Sequence, residues 1–294
     1  MSLLRAEWKK ATGNLLLTGF LVWIIPVGIL TLYILGFLVY LVTDDPTTVG
    51  IVRVTAERLT ASVTGVWSPI ITFPGNILGR LLPLAFMAVM FAGEYQWGTL
   101  RQIVPRSRRS SLILAKVATT TFIVLLSFIL TSLIIGAGQA AGHALLGLDY
   151  SSIFAGDKLT QFAQSYVEHL LLGTLSLLIL AGFAAVAAVL TRSILGGLLA
   201  SFGLSVLEPM SLLFLVLLSR LLNRADLGNL YRFAATYHLD NARSWFVAGH
   251  PLAPPLPGFT AEPTLVVSLI ALGLWIVVPV ALSIFLFSRQ DITS

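Results

Sequence analysis

The sequence predicts an all-α, polytopic membrane protein: a six-transmembrane-helix bundle with an N-terminal interfacial helix and a short helix on its cytosolic side. Three observations carry this reading. Hydrophobic residues make up 57% of the 294 residues and charged ones only 11%, with a mean hydropathy of +0.92. A soluble chain of this size carries about a quarter of its residues charged. The apolar residues also lie in runs long enough to cross ~30 Å of hydrocarbon as helices, and the basic residues cluster on one side of those runs.

Residues 1–14 place Leu4, Trp8, Ala11 and Leu15 at helical spacing, with Arg5, Lys9 and Lys10 suited to lipid headgroups. This is the pattern of a helix lying flat on the inner surface. The first span, 15–42, is too long for a signal-peptide core and ends without a small-residue cleavage site, so it reads as retained. Asp44-Asp45-Pro46 then signals a turn leading into a short helix around 51–63. The second span, 70–93, is interrupted by Arg80 and Pro83, with Pro69 and Pro74 near its start, and its outer part reads as bent or interfacial.

The third span, 117–145, carries Gly136, Gly138 and Gly142 among Ala137, Ala140 and Ala141, a small-residue face for close packing. The fourth, 167–190, opens on Glu168 and His169, where an acid favours the helix dipole. Residues 191–195 are so few that the fourth and fifth spans must form an antiparallel hairpin. The fifth, 196–218, begins Gly196-Gly197, and the longest outer segment, 219–263, follows it. That segment starts in a helical pattern, and Pro251, Pro254, Pro255, Pro257 and Pro263 make its second half a loop. Tyr231, Phe233, Tyr237, Trp245 and Phe246 suit a membrane interface. The sixth span is 264–287, and no internal repeat accompanies the six, which weakens an inverted-repeat transporter.

Charge fixes the orientation. With both termini inside, the cytosolic segments 1–14, 94–116, 191–195 and 288–294 hold ten of the 18 Lys and Arg against three acids. The outer segments 43–69, 146–166 and 219–263 hold seven basic residues against eight acids. This is the positive-inside asymmetry. It accounts for the basic pI without a nucleic-acid partner; the expected surroundings are lipid. Zero cysteines remove any disulfide, thiolate metal site or cysteine nucleophile.

The functional signal lies in the one sizeable cytosolic loop, 94–116. Its first half, 94–104, reads as a short helix with Trp97, Leu100 and Val104 on one face and Arg101 beside them; Pro105 stops it, and Arg106, Arg108 and Arg109 follow. A rigid helix lying across the inner face suits docking to a cytosolic partner. Glu94, Gly98-Thr99-Leu100-Arg101, Pro105, Ser107, Arg108 and Lys116 together resemble the coupling segment of type-2 ABC-transporter permeases, which also joins the second and third spans. The resemblance extends to the N-terminal amphipathic helix, the six-span count and the long outer segment between the fifth and sixth spans. It covers about two dozen residues as motif and the whole chain as layout. The family usually has a basic or polar residue where Trp97 stands.

The resemblance implies the permease subunit of an ATP-driven exporter in a prokaryotic cytoplasmic membrane. Two permease chains, as a homodimer or heterodimer, would sit on two ABC ATPase subunits. Glu94, Trp97, Gly98, Thr99, Leu100, Arg101 and Arg108 would be the coupling residues. ATP and Mg would belong to the partner, with no cofactor on this chain. A P-loop needs lysine followed by Ser or Thr, and the four lysines are followed by Lys10, Ala11, Val117 and Leu159, so the chain is expected not to be an enzyme by itself.

Glu208 lies mid-span directly before Pro209. An acid there costs ~2.5–3.5 kcal/mol on insertion scales unless protonated or paired. It is either a group of the substrate path or subunit interface, or a protonated cap on backbone groups freed by the proline, with Arg80 as a candidate partner. A self-contained channel or secondary transporter using Glu208 is the competing function. A rhomboid-like serine protease would need a histidine in the last span, which has none, and His143, His169, His238 and His250 show no metal-binding spacing.

Overall fold

The computed structural model describes residues 3–13, 18–43, 79–100, 108–145, 157–254, 256 and 258–290. All regular structure among them is helical: α1 (Leu3–Gly13), α2 (Ile24–Thr43, entered through a π-type turn at Gly19–Trp23), α3 (Leu81–Gln96), α4 (Arg109–Leu145), α5 (Asp157–Thr191), α6 (Ile194–Leu221), a 3-10 helix (Ala225–Phe233), α7 (Ala235–Ala248) and α8 (Leu265–Arg289).

Among the described residues, five stretches are long and apolar enough to cross a membrane: Gly19–Val42, Arg109–Gly138, Phe162–Thr191, Ile194–Leu221 and Leu265–Arg289. The expected second span is represented by the 16-residue α3, and residues 70–78 lie outside the described residues. So does the short helix expected over 51–63. α4 and α5 extend beyond the expected 117–145 and 167–190, because the polar residues at their ends continue the helices instead of ending them.

The expected continuous helix over 94–104 is corrected. Glu94, Tyr95 and Gln96 form the last turn of α3, and the helix stops at Trp97. Gly98 has φ +67°, a left-handed conformation that is readily available to glycine and ends helices. The backbone N–H of Trp97 still reaches Gly93 O at 2.8 Å. Helical structure resumes at Leu100, and residues 101–107 lie outside the described residues.

α5 is the core. Two-thirds (67%) of its apolar window is buried, against 11% for those of α2 and α6 and 17% for α8. Leu177, Ala181, Ala184, Ala185 and Ala188 are buried along it, and small side chains there let neighbouring backbones approach closely. A Cβ on Gly182 would come within 3.1 Å of Pro279 in α8, and one on Gly197 of α6 within 3.5 Å of the Ala188 backbone. At Gly138 of α4 the Tyr33 ring of α2 fills the place of a side chain: a Cβ would lie 2.7 Å from it.

Two proline sites are completed from a neighbouring helix. Proline has no N–H, so the carbonyl four residues earlier loses its helical donor. Pro26 leaves Val22 O in the π-type turn, and Ser127 Oγ of α4 donates to it at 2.8 Å. Pro209 leaves Ser205 O in α6, and the Arg80 guanidinium at the start of α3 donates to it. Arg80 is buried there.

The helices alternate in direction. One end of the bundle gathers α1, the C-terminus of α3, the N-terminus of α4, the α5–α6 hairpin and the C-terminus of α8. There Gln96 Oε1 accepts from Ile194 N at 3.3 Å, Tyr95 OH donates to Gln290 Oε1 at 2.9 Å, and Gln290 Nε2 donates to Val189 O at 2.8 Å. The 3-10 helix, α7 and the proline-rich 251–263 stretch cover the far end. Tyr231 and Tyr237, expected at an interface, are buried with Leu256 in a small separate core under this cover.

Candidate functional site

At the gathered end four charged side chains meet, three of them buried and Lys10 partly open to solvent. Glu7 and Lys10 come from α1, Glu94 from the last turn of α3 and Lys116 from the second turn of α4. Lys116 Nζ stands 3.1 Å from Glu94 Oε2 and 3.4 Å from Glu7 Oε2, and donates to Met90 O at 2.6 Å. Lys10 Nζ donates to Glu94 Oε1. Glu94 is 0% exposed and Lys116 2%. Two acids and two bases sum to zero, which makes burial of Glu7, Glu94 and Lys116 tolerable; a single unpaired ion there would be strongly penalised.

Local sequence explains the placement. α1 turns Glu7 and Ala11 inward and leaves Leu4 and Trp8 exposed, with Trp8 also against the Phe122 ring at 5.8 Å. Lys10, expected among the headgroups with Arg5 and Lys9, instead points into the bundle. The side chains at 7, 10 and 11 share one helix face, so the polar stripe of α1 is its docking stripe. Thr18 Oγ1 donates to Ala11 O and fixes the link from α1 to α2.

The expected coupling residues separate into two groups. Glu94 faces the ion cluster and offers no surface to a partner, and Leu100 is buried in the main core. Trp97 is 54% exposed; its ring folds back over Gly93, where a Cβ would lie 2.7 Å from Cζ3. Gly98 and Arg108 are exposed and Thr99 is half-buried; Arg101 lies outside the described residues. Arg109, next to Arg108, is occupied within the bundle. It donates to Phe287 O at 2.7 Å, Ser288 O at 3.0 Å and Gln290 O at 2.7 Å. It thereby caps the C-terminus of α8, where a cation is favoured by the dipole.

Comparison with protein-family models, with curated proteins and with solved structures found no match.

Glu208 is the other singled-out residue, and its carboxylate is engaged at the start of α7. Its Oε1 accepts from Thr236 N at 2.8 Å and its Oε2 from Thr236 Oγ1 at 2.6 Å. Thr236 is in the first turn of α7, where backbone N–H groups lack helical acceptors and a carboxylate is favoured by the dipole. Glu208 thus ties α6 to the cover, while Arg80 serves the proline. Of the expected tasks, serving the carbonyl freed by Pro209 falls to Arg80.

A buried serine–histidine contact also lies at the far end. His238 Nδ1 is 3.1 Å from Ser268 Oγ, which accepts from Asn241 Nδ2 at 2.8 Å. Asn241 also donates to Pro263 O at 3.0 Å and accepts from Leu252 N at 2.7 Å. With Ser268 fully buried and bonded, this network pins α7 to α8 and holds no exposed nucleophile. Among the described residues no group of three or more His, Asp or Glu side chains could hold a metal ion.

Sequence reasoning missed Glu7 and Lys10 as site residues. A signal existed: Glu7 is the one acid of a basic amphipathic helix, and Glu94 and Lys116 are opposite charges just outside two apolar runs. Only the approach of three helix ends brings them together.

Proposed function

We propose that this chain is the permease subunit of an ATP-driven exporter, with the gathered end facing the cytosol and receiving a separate ATPase subunit. The resemblance of the 94–116 segment to type-2 ABC permeases is the source of the reading. The observation that supports it most is the ion cluster. The exposed Trp97–Gly98 turn follows Glu94 by three residues, and Glu94 is tied by charge to α1 and α4. A push on that turn is therefore carried into three helices at once. In energetic terms, a partner that binds two arrangements of this end with different affinity shifts the bundle between them.

The competing channel or secondary transporter rested on Glu208, whose carboxylate is engaged in holding Thr236. Purification of the tagged chain from its native membrane tests the proposal. A nucleotide-binding subunit should co-purify, and Gly98→Pro should reduce its recovery while the chain stays folded. A purified chain that transports in liposomes without any ATPase would refute the proposal.

A further inference from the structure

At the far end, an open cleft of about 770 Å³ lies between the N-terminal part of α5 and α7. It is independent of the ion cluster and of the ATPase proposal. Gln164, Glu168 and His169 line one wall, Asp240 and Arg243 the other, and Phe246, Val247 and Leu252 give it an apolar part. The volume falls within the ~300–1,000 Å³ of small-molecule sites, which are largely apolar with a few convergent polar groups.

Its charges are not consumed by one another. Among the described residues Arg243 and Asp240 interact at a distance, without an ion pair between them, and Asp240 also feels the charges of Arg80 and Glu208. Glu168 accepts one bond, from Gln164 Nε2 at 3.0 Å. His169 is occupied by Ser165 O at 2.6 Å, so its ring serves as wall. The cleft therefore offers one guanidinium and two carboxylates beside an apolar surface. It opens near the start of the apolar stretch Phe162–Thr191, where Val167 and Leu171 are exposed.

We infer that this cleft binds a zwitterionic amphiphile, whose anionic group meets Arg243, whose ammonium meets Glu168 and Asp240, and whose chain lies along Phe246, Val247 and Leu252. A purely anionic ligand would face two carboxylates, and a purely cationic one the arginine. The guanidinium presents a fork of donors suited to phosphate or carboxylate. The ligand is either a membrane lipid or a soluble zwitterion of the same head chemistry.

The test uses the full chain in non-ionic detergent micelles, with lysophosphatidylethanolamine, lysophosphatidylglycerol and free glycerophosphoethanolamine as probes. Native mass spectrometry or thermophoresis reads binding. Lysophosphatidylethanolamine should saturate one site per chain and bind more tightly than lysophosphatidylglycerol. Arg243→Ala should weaken it about tenfold or more, the loss of a charge-assisted hydrogen bond. Glu168→Gln with Asp240→Asn should weaken it similarly while leaving lysophosphatidylglycerol equal or tighter. Competition by glycerophosphoethanolamine at similar concentration assigns the site to a soluble zwitterion; none assigns it to lipid. Val247→Arg, at an exposed wall position, is a second variant that should block the apolar part. Equal binding of the two lysolipids to the unaltered chain, or ethanolamine-lipid binding unmoved by all three changes, would overturn the inference. So would failure to reach saturation.

Discussion

Removing the Lys116 ammonium is the sharpest test of how the gathered end is held. Lys116→Met keeps the length of the side chain and its packing but leaves Glu7 and Glu94 with only Lys10, whose ammonium is partly open to solvent. The cluster passes from neutral to a net charge of −1. Met90 O loses its donor as well. Breaking a buried ion pair from one side costs about 3–5 kcal/mol, and the lower figure already shifts a local equilibrium by more than about a hundredfold.

The response should be local release, because α1 is the element most easily detached. Its main anchors are this cluster, Ala11 and the Trp8–Phe122 contact. Limited proteolysis in micelles should cut within α1, and hydrogen exchange there should rise, while α5 stays protected. Adding Glu94→Gln brings the summed charge back to zero, with Glu7 and Lys10 the two charges that remain. The double variant should be less labile than the sum of the two single ones by about 1–3 kcal/mol. Protection of α1 unchanged in Lys116→Met, or strict additivity in the double variant, would refute the reasoning.

Other outcomes follow from the same geometry. Glu208→Gln keeps one acceptor for Thr236 and should loosen α7 by about 1 kcal/mol, whereas Glu208→Leu removes both and should cost about 1–3 kcal/mol, read as faster amide exchange at the start of α7. Arg80→Met leaves Ser205 O without its guanidinium donor and should cost about 1–3 kcal/mol in unfolding from mixed micelles. Gly98→Val places a β-branched residue at a positive φ and should cost about 1–2 kcal/mol, with a matching loss of ATPase-subunit recovery if that turn is the docking point. For orientation, single cysteines at Ser152 and Thr260 should react with an impermeant reagent on intact cells, and one at Ser107 should not; the reverse pattern would invert the bundle.

The apolar runs were legible because burial in lipid imposes length and composition on every span, and among the described residues five helical stretches are long and apolar enough to cross a membrane. The second span was less so: Arg80 and Pro83 read as interruptions, yet Pro83 sits in the first turn of α3, where a missing N–H costs nothing. The helix expected over 94–104 failed at Gly98, because the apolar spacing of Trp97, Leu100 and Val104 resembles a helix whether or not the backbone reverses between them. Glu208 and Arg80 stood out as intramembrane charges, with Arg80 a candidate partner of the acid, but what each one holds was not legible. Position decides it: α7 folds back so that its first turn reaches Glu208, and α3 brings Arg80 to Ser205. Neither approach leaves a trace in local sequence.

The two proline carbonyls taken up by Ser127 and Arg80 bear on how such a bundle could move. A donor from one helix that serves a single orphaned carbonyl on another acts as a detent. Sliding either pair of helices by one residue, ~1.5 Å, takes the donor off that carbonyl, and no free carbonyl waits at the next position, because its neighbours are already bonded along the helix. Rotation about the detent keeps the bond; translation breaks it. Motion between α2 and α4, and between α3 and α6, is thereby steered toward pivoting about Val22 and Ser205, with depth held fixed while the helix ends swing.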